Sequence, residues 1–207
     1  MGICACNRRV VPKRPLVITL HGGPGSGVTT QAQKIKSKYG MKVLKFSTIY
    51  EKAMYEGSDL GKQIEVLQKA KKPIPGSISV PLLKEAIKET PYNESGFIIE
   101  RWPGQQEDIE GCPAKATAEI NMITVYIKLD PDTMQMRSLS KTVEIHPNTT
   151  EYQGINSKIE TQIQFFLRNT VPMISHKKTF GQVHEIDGER GLQDVTTDIC
   201  TIIDRSL

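Results

Sequence analysis

The sequence has few cysteines, no long apolar run and no surplus of charge in its body, and each shortage narrows what the chain can be. Four cysteines stand among 207 residues, at Cys4, Cys6, Cys112 and Cys200. They form no C-x-x-C pair, and their spacing with the four histidines suits no metal site. His146, His176 and His184 have no partner spacing for acid–base work either. No secretory apolar segment is present, so Cys112 and Cys200 are read as reduced thiols. No apolar stretch approaches the ~18 residues that cross a bilayer, which argues against a transmembrane chain. The net charge of +4 sits in the first fifteen residues, where Arg8, Arg9, Lys13 and Arg14 meet no acid. Without those four, the 27 basic residues fall to 23, matched by 23 acidic ones. A neutral body is not the composition of a nucleic-acid-binding domain. There are no repeats and no low-complexity segments. A chain of this length reads as one domain, burying roughly 70 % of its unfolded surface.

The basic leader, residues 1–15, has its own chemistry. Met1-Gly2-Ile3-Cys4-Ala5-Cys6 carries the Gly2 needed for N-myristoylation, although Cys6 stands where that signal prefers Ser or Thr. Cys4 and Cys6 beside Gly2 are natural palmitoylation positions. One myristoyl chain holds a membrane marginally, and a second acyl chain or a basic patch secures it. Each nearby Lys or Arg adds roughly 1 kcal/mol at an anionic leaflet. The leader is therefore read either as an anchor to the cytoplasmic membrane face or as a plain disordered extension, on an otherwise cytoplasmic protein.

What the chain does possess is a glycine-rich turn between a strand and a helix. Leu16-Val17-Ile18-Thr19-Leu20 is an apolar strand, His21 to Gln31 reads HGGPGSGVTTQ, and helical character follows from Thr30 to Lys38. Glycines let the backbone curl until several N–H groups face one anion, and the helix dipole adds to the attraction. The phosphate-loop pattern is G-x-x-x-x-G-K-[ST]. Gly22 and Gly27 have its spacing, and Thr29 and Thr30 offer hydroxyls for magnesium. Gly23, Gly25 and Ser26 complete the cradle. The lysine position, however, holds Val28.

Apolar strands alternate with helices along the rest. Strands are expected at Met41–Phe46, Gly96–Glu100, Met122–Leu129 and Val183–Ile186. Helices are expected at 48–56 with Ser47 as cap, at 59–71 after a Gly57-Ser58 break, and at 77–89. Further helices are expected at 132–140, at 158–169, from Pro172, and at 192–203. Lys141 to Ile155 is polar and reads as an excursion. This alternation predicts an α/β fold, a parallel sheet with helices on both faces. Ligands then sit at the carboxyl ends of the strands, here His21, Phe46, Glu100, Asp130 and Asp187.

Four collinear stretches carry a resemblance. The loop is one; Gly96-Phe-Ile-Ile-Glu-Arg-Trp-Pro103, Leu129-Asp130 with Thr133-Met134 and Arg137, and Thr170-Val-Pro-Met-Ile174 are the others. Together they resemble adenylate kinase and its nucleoside monophosphate kinase relatives, of the short cytosolic type, from about residue 16 to 205. The resemblance implies a five-stranded parallel sheet, a helical monophosphate arm near 47–76 and a lid near 141–155. It also implies the reaction ATP + AMP ⇌ 2 ADP with magnesium.

That reaction depends on positioning phosphates and neutralising their charge. Carried across position by position, the family's loop lysine is Val28, the first arm-helix arginine is Glu51, and the arginine after the G-[YF]-P turn is Gly104. The lid-entrance arginine is Lys141, and that of the helix before Pro172 is Gln162. The remaining lid arginine falls near Glu151. The glutamine that reads the AMP base is Asp108, with Gln105 and Gln106 beside it, and the arm's T-G-D is Phe46-Ser47-Thr48. Removing one preorganised donor costs roughly 10²–10³ in rate. Glutamates beside phosphates add repulsion. Glu100, in the family's Asp position, keeps a carboxylate that with Thr30 is expected to hold magnesium indirectly. Arg101, where the family has glycine, is either a substitute cation or the partner of an acid such as Glu100. His21 and Trp102 are expected to pack beside and beneath the phosphate site.

Two readings follow. One is a catalytically weak or inactive adenylate-kinase-like protein that binds a nucleotide, with Mg2+ and ATP or another nucleotide as ligand, or serves as a scaffold for a protein partner. The other is an active nucleoside monophosphate kinase with a site rebuilt around Arg101 and Lys141. A small GTPase is disfavoured, because no N-K-x-D base-reading motif is present.

Overall fold

A computed structural model of the chain describes residues 16–70, 72–89, 96–104, 108, 121–141, 150–178 and 183–207. Its centre is a five-stranded, wholly parallel sheet of order β2-β3-β1-β4-β5. The strands are β1 Leu16–His21, β2 Lys42–Leu44, β3 Gly96–Glu100, β4 Asn121–Lys128 and β5 Val183–Asp187. All six residues of β1 are buried, as its place in the middle requires. Alternate side chains take opposite faces. Leu16, Ile18 and Leu20 pack with Val28, Ala32 and Ile35 of α1 (Val28–Tyr39) and with Val195, Ile199 and Ile203 of the last helix, Leu192–Asp204. On the other face Val17 joins Phe97, Ile99, Trp102 and the inner side of α4 (Gly76–Glu89). Thr19 donates a hydrogen bond to Thr124 at 3.0 Å within that same face.

The arm region is α2 (Phe46–Tyr55) and α3 (Asp59–Lys69), joined to α4 through Ala53, Ile64, Ile78 and Leu82. Ser58 starts α3 by accepting the Gly61 N–H at 3.0 Å. Gly61 is required there, since a Cβ would lie 2.0 Å from the Ala53 carbonyl oxygen. Beyond β4 come α5 (Pro131–Ser140), α6 (Thr150–Phe165), a wide π turn over Phe166–Thr170, α7 (Val171–Lys178) and α8 (Leu192–Asp204). The π turn has a local cause. Pro172 has no N–H, and ahead of it the Val171 N–H bonds the Phe166 carbonyl, five residues back.

Three expectations need correction. The second strand is only three residues long, because Phe46 begins α2 and stacks on Trp102 with ring centroids 4.5 Å apart. Lys45, not Ser47, is the N-cap of that helix. The expected excursion through Ile155 overlaps α6, which starts at Thr150. Ile155, Ile159, Ile163 and Phe166 recur at helical spacing and pack on the Tyr126–Met134 cluster. Gly154, which suggested a loop, has open space where a Cβ would be. The leader, with Gly2, Cys4 and Cys6, lies outside the described residues, as do Cys112, Gln105, Gln106 and 142–149.

Candidate functional site

The carboxyl end of β1 feeds a tight turn whose shape is set by its glycines. Gly25 and Gly27 take φ of +74° and +80°, the left-handed region that a side chain disfavours. A Cβ on Gly22 would stand 2.4 Å from Ser26 Oγ, and one on Gly23 would meet Met134 Sδ at 2.4 Å. The turn thus curls over Ser26 and backs onto α5. Gly27 faces open space.

Gly27 is also the N-cap of α1, with no side-chain cap and no acid in the first turn. The first N–H groups of the helix have no intrahelical partner. Ser26 Oγ is buried with no hydrogen-bond partner. These donors fit a phosphate. Val28 does not add to them: it is 0 % exposed and packs downward against Leu16, Ile18 and Leu20.

Beside the turn, the Thr29 hydroxyl donates to Glu100 Oε2 at 2.7 Å, while Glu100 Oε1 is buried and unpartnered. A free carboxylate oxygen next to a hydroxyl suits a hydrated magnesium ion. The structure joins Glu100 to Thr29, whereas Thr30 is exposed on a shallow surface with Gln33, Lys34 and Gln193.

A cavity of about 270 Å³ opens on the other side of the turn. His21 and Gly22 wall it from β1, Arg101 and Gly104 from the end of β3, and Gln162, Phe165 and Phe166 from α6 and the π turn. Arg101 has φ of +58°, and its N–H donates to the Leu20 carbonyl at 2.8 Å. Its guanidinium pairs with no acid among the described residues, so the expected pairing with Glu100 is absent. Gly104 is held at both ends: its N–H donates to the Asp108 carboxylate at 2.6 Å and its carbonyl accepts from the Thr170 hydroxyl at 2.5 Å. Asp108 is therefore engaged by its own turn. Glu51 is exposed on α2, and Lys141 is exposed at the end of α5, outside the cavity lining.

His21 is more than packing. It is 0 % exposed, and neither ring nitrogen has a partner. Burial first, and the nearby Lys177 charge second, lower its pKa from 6.5 to about 3, so the ring is neutral. Lys177, on α7, is itself lowered to about 8 by burial. Lys177 and the Phe165-Phe166 pair are not legible as site residues in the sequence. Neither has a motif; the π turn brings Phe166 inward, and the packing of α7 against β5 sets where Lys177 lies.

Comparison with known proteins fits this geometry. The adenylate kinase family model matches residues 20–182. The chain belongs to the adenylate kinase family. Adenylate kinase isoenzyme 1 of Oryctolagus cuniculus is 27 % identical over 195 residues, covering 93 % of this chain and 96 % of that protein. The human isoenzyme 1 is 26 % identical over 195 residues, with the same coverage. Isoenzyme 5 of Bos taurus is 26 % identical over 192 residues, 93 % of this chain, which spans 33 % of that longer protein. An adenylate kinase family fold explains the parallel sheet, the loop at the end of its central strand and the helices on both faces. No helix among the described residues is long and apolar enough to cross a membrane.

Proposed function

We propose that this adenylate kinase family member binds an adenine nucleotide at its loop and transfers phosphate weakly or not at all. Val28 carries the reading. At the position where the phosphate-loop pattern puts lysine, the side chain is apolar and fully buried in the core. The positions that the family resemblance makes arginine add to it: Gly104 and Gln162 border the cavity without charge, and Glu51 is acidic. What remains is a cradle of backbone N–H groups at Gly23, Gly25, Gly27, Val28 and Thr29, with Ser26 Oγ. Such groups hold phosphate without any side chain.

Glu100 and Thr29 are the groups suited to hold the metal of a magnesium nucleotide through its water shell. When bound, the metal offsets charge between the phosphates. The chain's own part is orientation: the loop fixes the phosphates, and α5 closes the loop from behind through Met134.

A second reading, an active nucleoside monophosphate kinase, is favoured by the unpaired Arg101 at the cavity wall, with Lys141 as its helper. ADP formation from Mg-ATP and AMP, measured beside Gly27→Val as a blank, separates the two. A rate no greater than the blank, together with saturable Mg-ATP binding, supports the first. An enzyme-dependent rate that Arg101→Ala abolishes supports the second. No binding and no rate would leave the scaffold role alone. For the leader we propose lipid anchoring through Gly2, Cys4 and Cys6. Retention of Gly2→Ala in the membrane fraction would refute it.

A further inference from the structure

Charge is segregated along this chain. Glu51 is its first acid. Nine of the 27 basic residues precede Glu51, and the other 18 share residues 51–207 with all 23 acids. The even balance of the folded body therefore hides a basic part and an acidic part. Arg8, Arg9, Lys13 and Arg14 belong to the leader; Lys34, Lys36, Lys38, Lys42 and Lys45 belong to α1, β2 and the N-cap of α2. Protein surfaces ordinarily intersperse both signs. A strong asymmetry along a chain points to an anionic partner.

The fold presents these lysines to solvent. Lys36, Lys38, Lys42 and Lys45 are exposed, and Lys34 is half-buried, its ammonium donating to Gln193 at 3.3 Å. Lys36, Lys38 and Lys45 pair with no acid among the described residues. The rest of the exposed face of α1 is neutral: Thr30, Gln33 and Ser37. Lysines in a last helical turn complement the helix dipole. That accounts for Lys36 and Lys38, but not for Lys42, Lys45 or the missing acids. α8 bounds the patch with acids that are engaged: Asp198 pairs with Arg190, and Asp204 accepts from the Tyr39 hydroxyl at 2.7 Å.

The leader joins the domain at the same place. Leu16 lies alongside Gly96, where a Cβ would stand 2.4 Å from the Leu16 carbonyl oxygen and 3.4 Å from Met41 Cε. Met41 lies in the turn between Lys38 and Lys42. The four cations of the leader thus enter the domain beside the basic patch. The phosphate loop lies at the other end of β1, about 20 Å away along its six residues.

We propose that the outer face of α1 and its turn into β2 dock on an anionic membrane surface, with the loop open to solvent at the opposite edge of the sheet. The choice of a membrane as partner rests on the reading of the leader as an anchor. Composition supports it over a nucleic acid. All five cations of the patch are lysines, compact point charges suited to a headgroup layer, and none is an arginine with a planar fork for phosphate. Tyr39, the aromatic residue among them, is tied to Asp204 and not presented to a base.

The test is co-sedimentation of the full, unacylated chain with vesicles of phosphatidylcholine, alone or with one-third phosphatidylserine. Salt is set at about 0.1 M and about 1 M, where charges are screened beyond about 10 Å and 3 Å. Binding is expected to the phosphatidylserine vesicles at low salt only. Lys36→Gln with Lys38→Gln is expected to weaken it by roughly twentyfold, about fivefold for each lysine near the surface. Lys62→Gln with Lys69→Gln, exposed on α3, removes the same charge and is expected to leave it unchanged. Should the α1 pair not fold, Lys45→Gln is expected to weaken binding by about fivefold. Equal weakening by the α3 pair would overturn the proposal, showing an effect of net charge alone. Equal binding to both kinds of vesicle, or none to either, would overturn it as well. Tighter binding to a single-stranded oligonucleotide than to vesicles would overturn it in favour of a nucleic acid. Release from vesicles by Mg-ATP would place the headgroups on the loop and overturn it too. No acyl chain is present in this assay, so its failure is distinguishable from failure of the anchor, which Gly2→Ala tests.

Discussion

Restoring the missing charge, Val28→Lys, puts the central reading at risk in a way that can be measured. Val28 is fully buried on the α1 side of the sheet. Burial of such a side chain contributes about 1.5–3 kcal/mol. A lysine there keeps some contact through its stem, but its ammonium must leave the core, because an isolated buried charge costs far more. The way out is upward, past Gly22, whose hypothetical Cβ would already be 3.0 Å from Val28 Cγ2. The substitution should therefore destabilise the free protein by about 1–2 kcal/mol, a fall in Tm of roughly 2–8 °C for a chain of this size. In return, an ammonium at the mouth of the cradle should tighten Mg-ATP by about tenfold or more, as for hydrogen bonds to charged groups. The two effects separate in one assay: thermal melts with and without Mg-ATP, on wild type, Val28→Lys and Val28→Met. A larger ligand-induced rise in Tm for lysine alone is the expected result. If Mg-ATP raises all three equally, the nucleotide phosphates do not lie over this loop and the cradle reading fails. If methionine gains as much as lysine, length and not charge is the cause.

Other consequences follow from single contacts. Arg101→Gly relieves a left-handed residue, worth about 1–2 kcal/mol, at an entropic cost of about 0.5–1 kcal/mol, so a stability gain near 1 kcal/mol is expected in urea titration; a loss would mean that the guanidinium holds the structure. Thr170→Val removes the 2.5 Å bond to the Gly104 carbonyl and should cost about 1 kcal/mol by the same method. The folded His21 pKa, about 3, lies below its unfolded value of 6.5. Between those values the unfolded chain binds the extra proton, so stability falls as pH drops through that window, by up to about 1.4 kcal/mol per pH unit. The nearby Lys177 charge deepens the effect by opposing the ring's protonation. His21→Val should flatten this acid limb, and an unchanged slope between pH 6 and 4 in guanidinium titrations would show that other groups set it. Glu100→Gln should reduce the magnesium dependence of nucleotide binding while leaving metal-free binding in place; magnesium dependence equal to wild type would remove Glu100 from the metal site.

Much of this protein is written in local pattern. The apolar runs of β1 and β3, the glycines that force the loop, and the helical spacing of apolar residues in α4 are consequences of period and backbone freedom, and they predict a parallel α/β sheet with the loop at the end of its first strand; that this strand is the central one is a fact of the tertiary structure. The missing lysine at Val28 is likewise a sequence fact. What the sequence could not decide depends on contacts between distant residues. Phe46 belongs to a helix because Trp102, more than fifty positions away, offers it a ring to stack on. Thr29, not Thr30, meets Glu100 because α1 is rotated by its buried face, Val28, Ala32 and Ile35. Asp108 is tied to Gly104, which no spacing rule announces. Arg101 finds no acid among the described residues and the buried His21 ring no hydrogen-bond partner, which no local pattern announces. Local sequence sets which residues form strands, turns and helices; whether a buried nitrogen finds a partner depends on how those elements pack, and only the tertiary structure decides that.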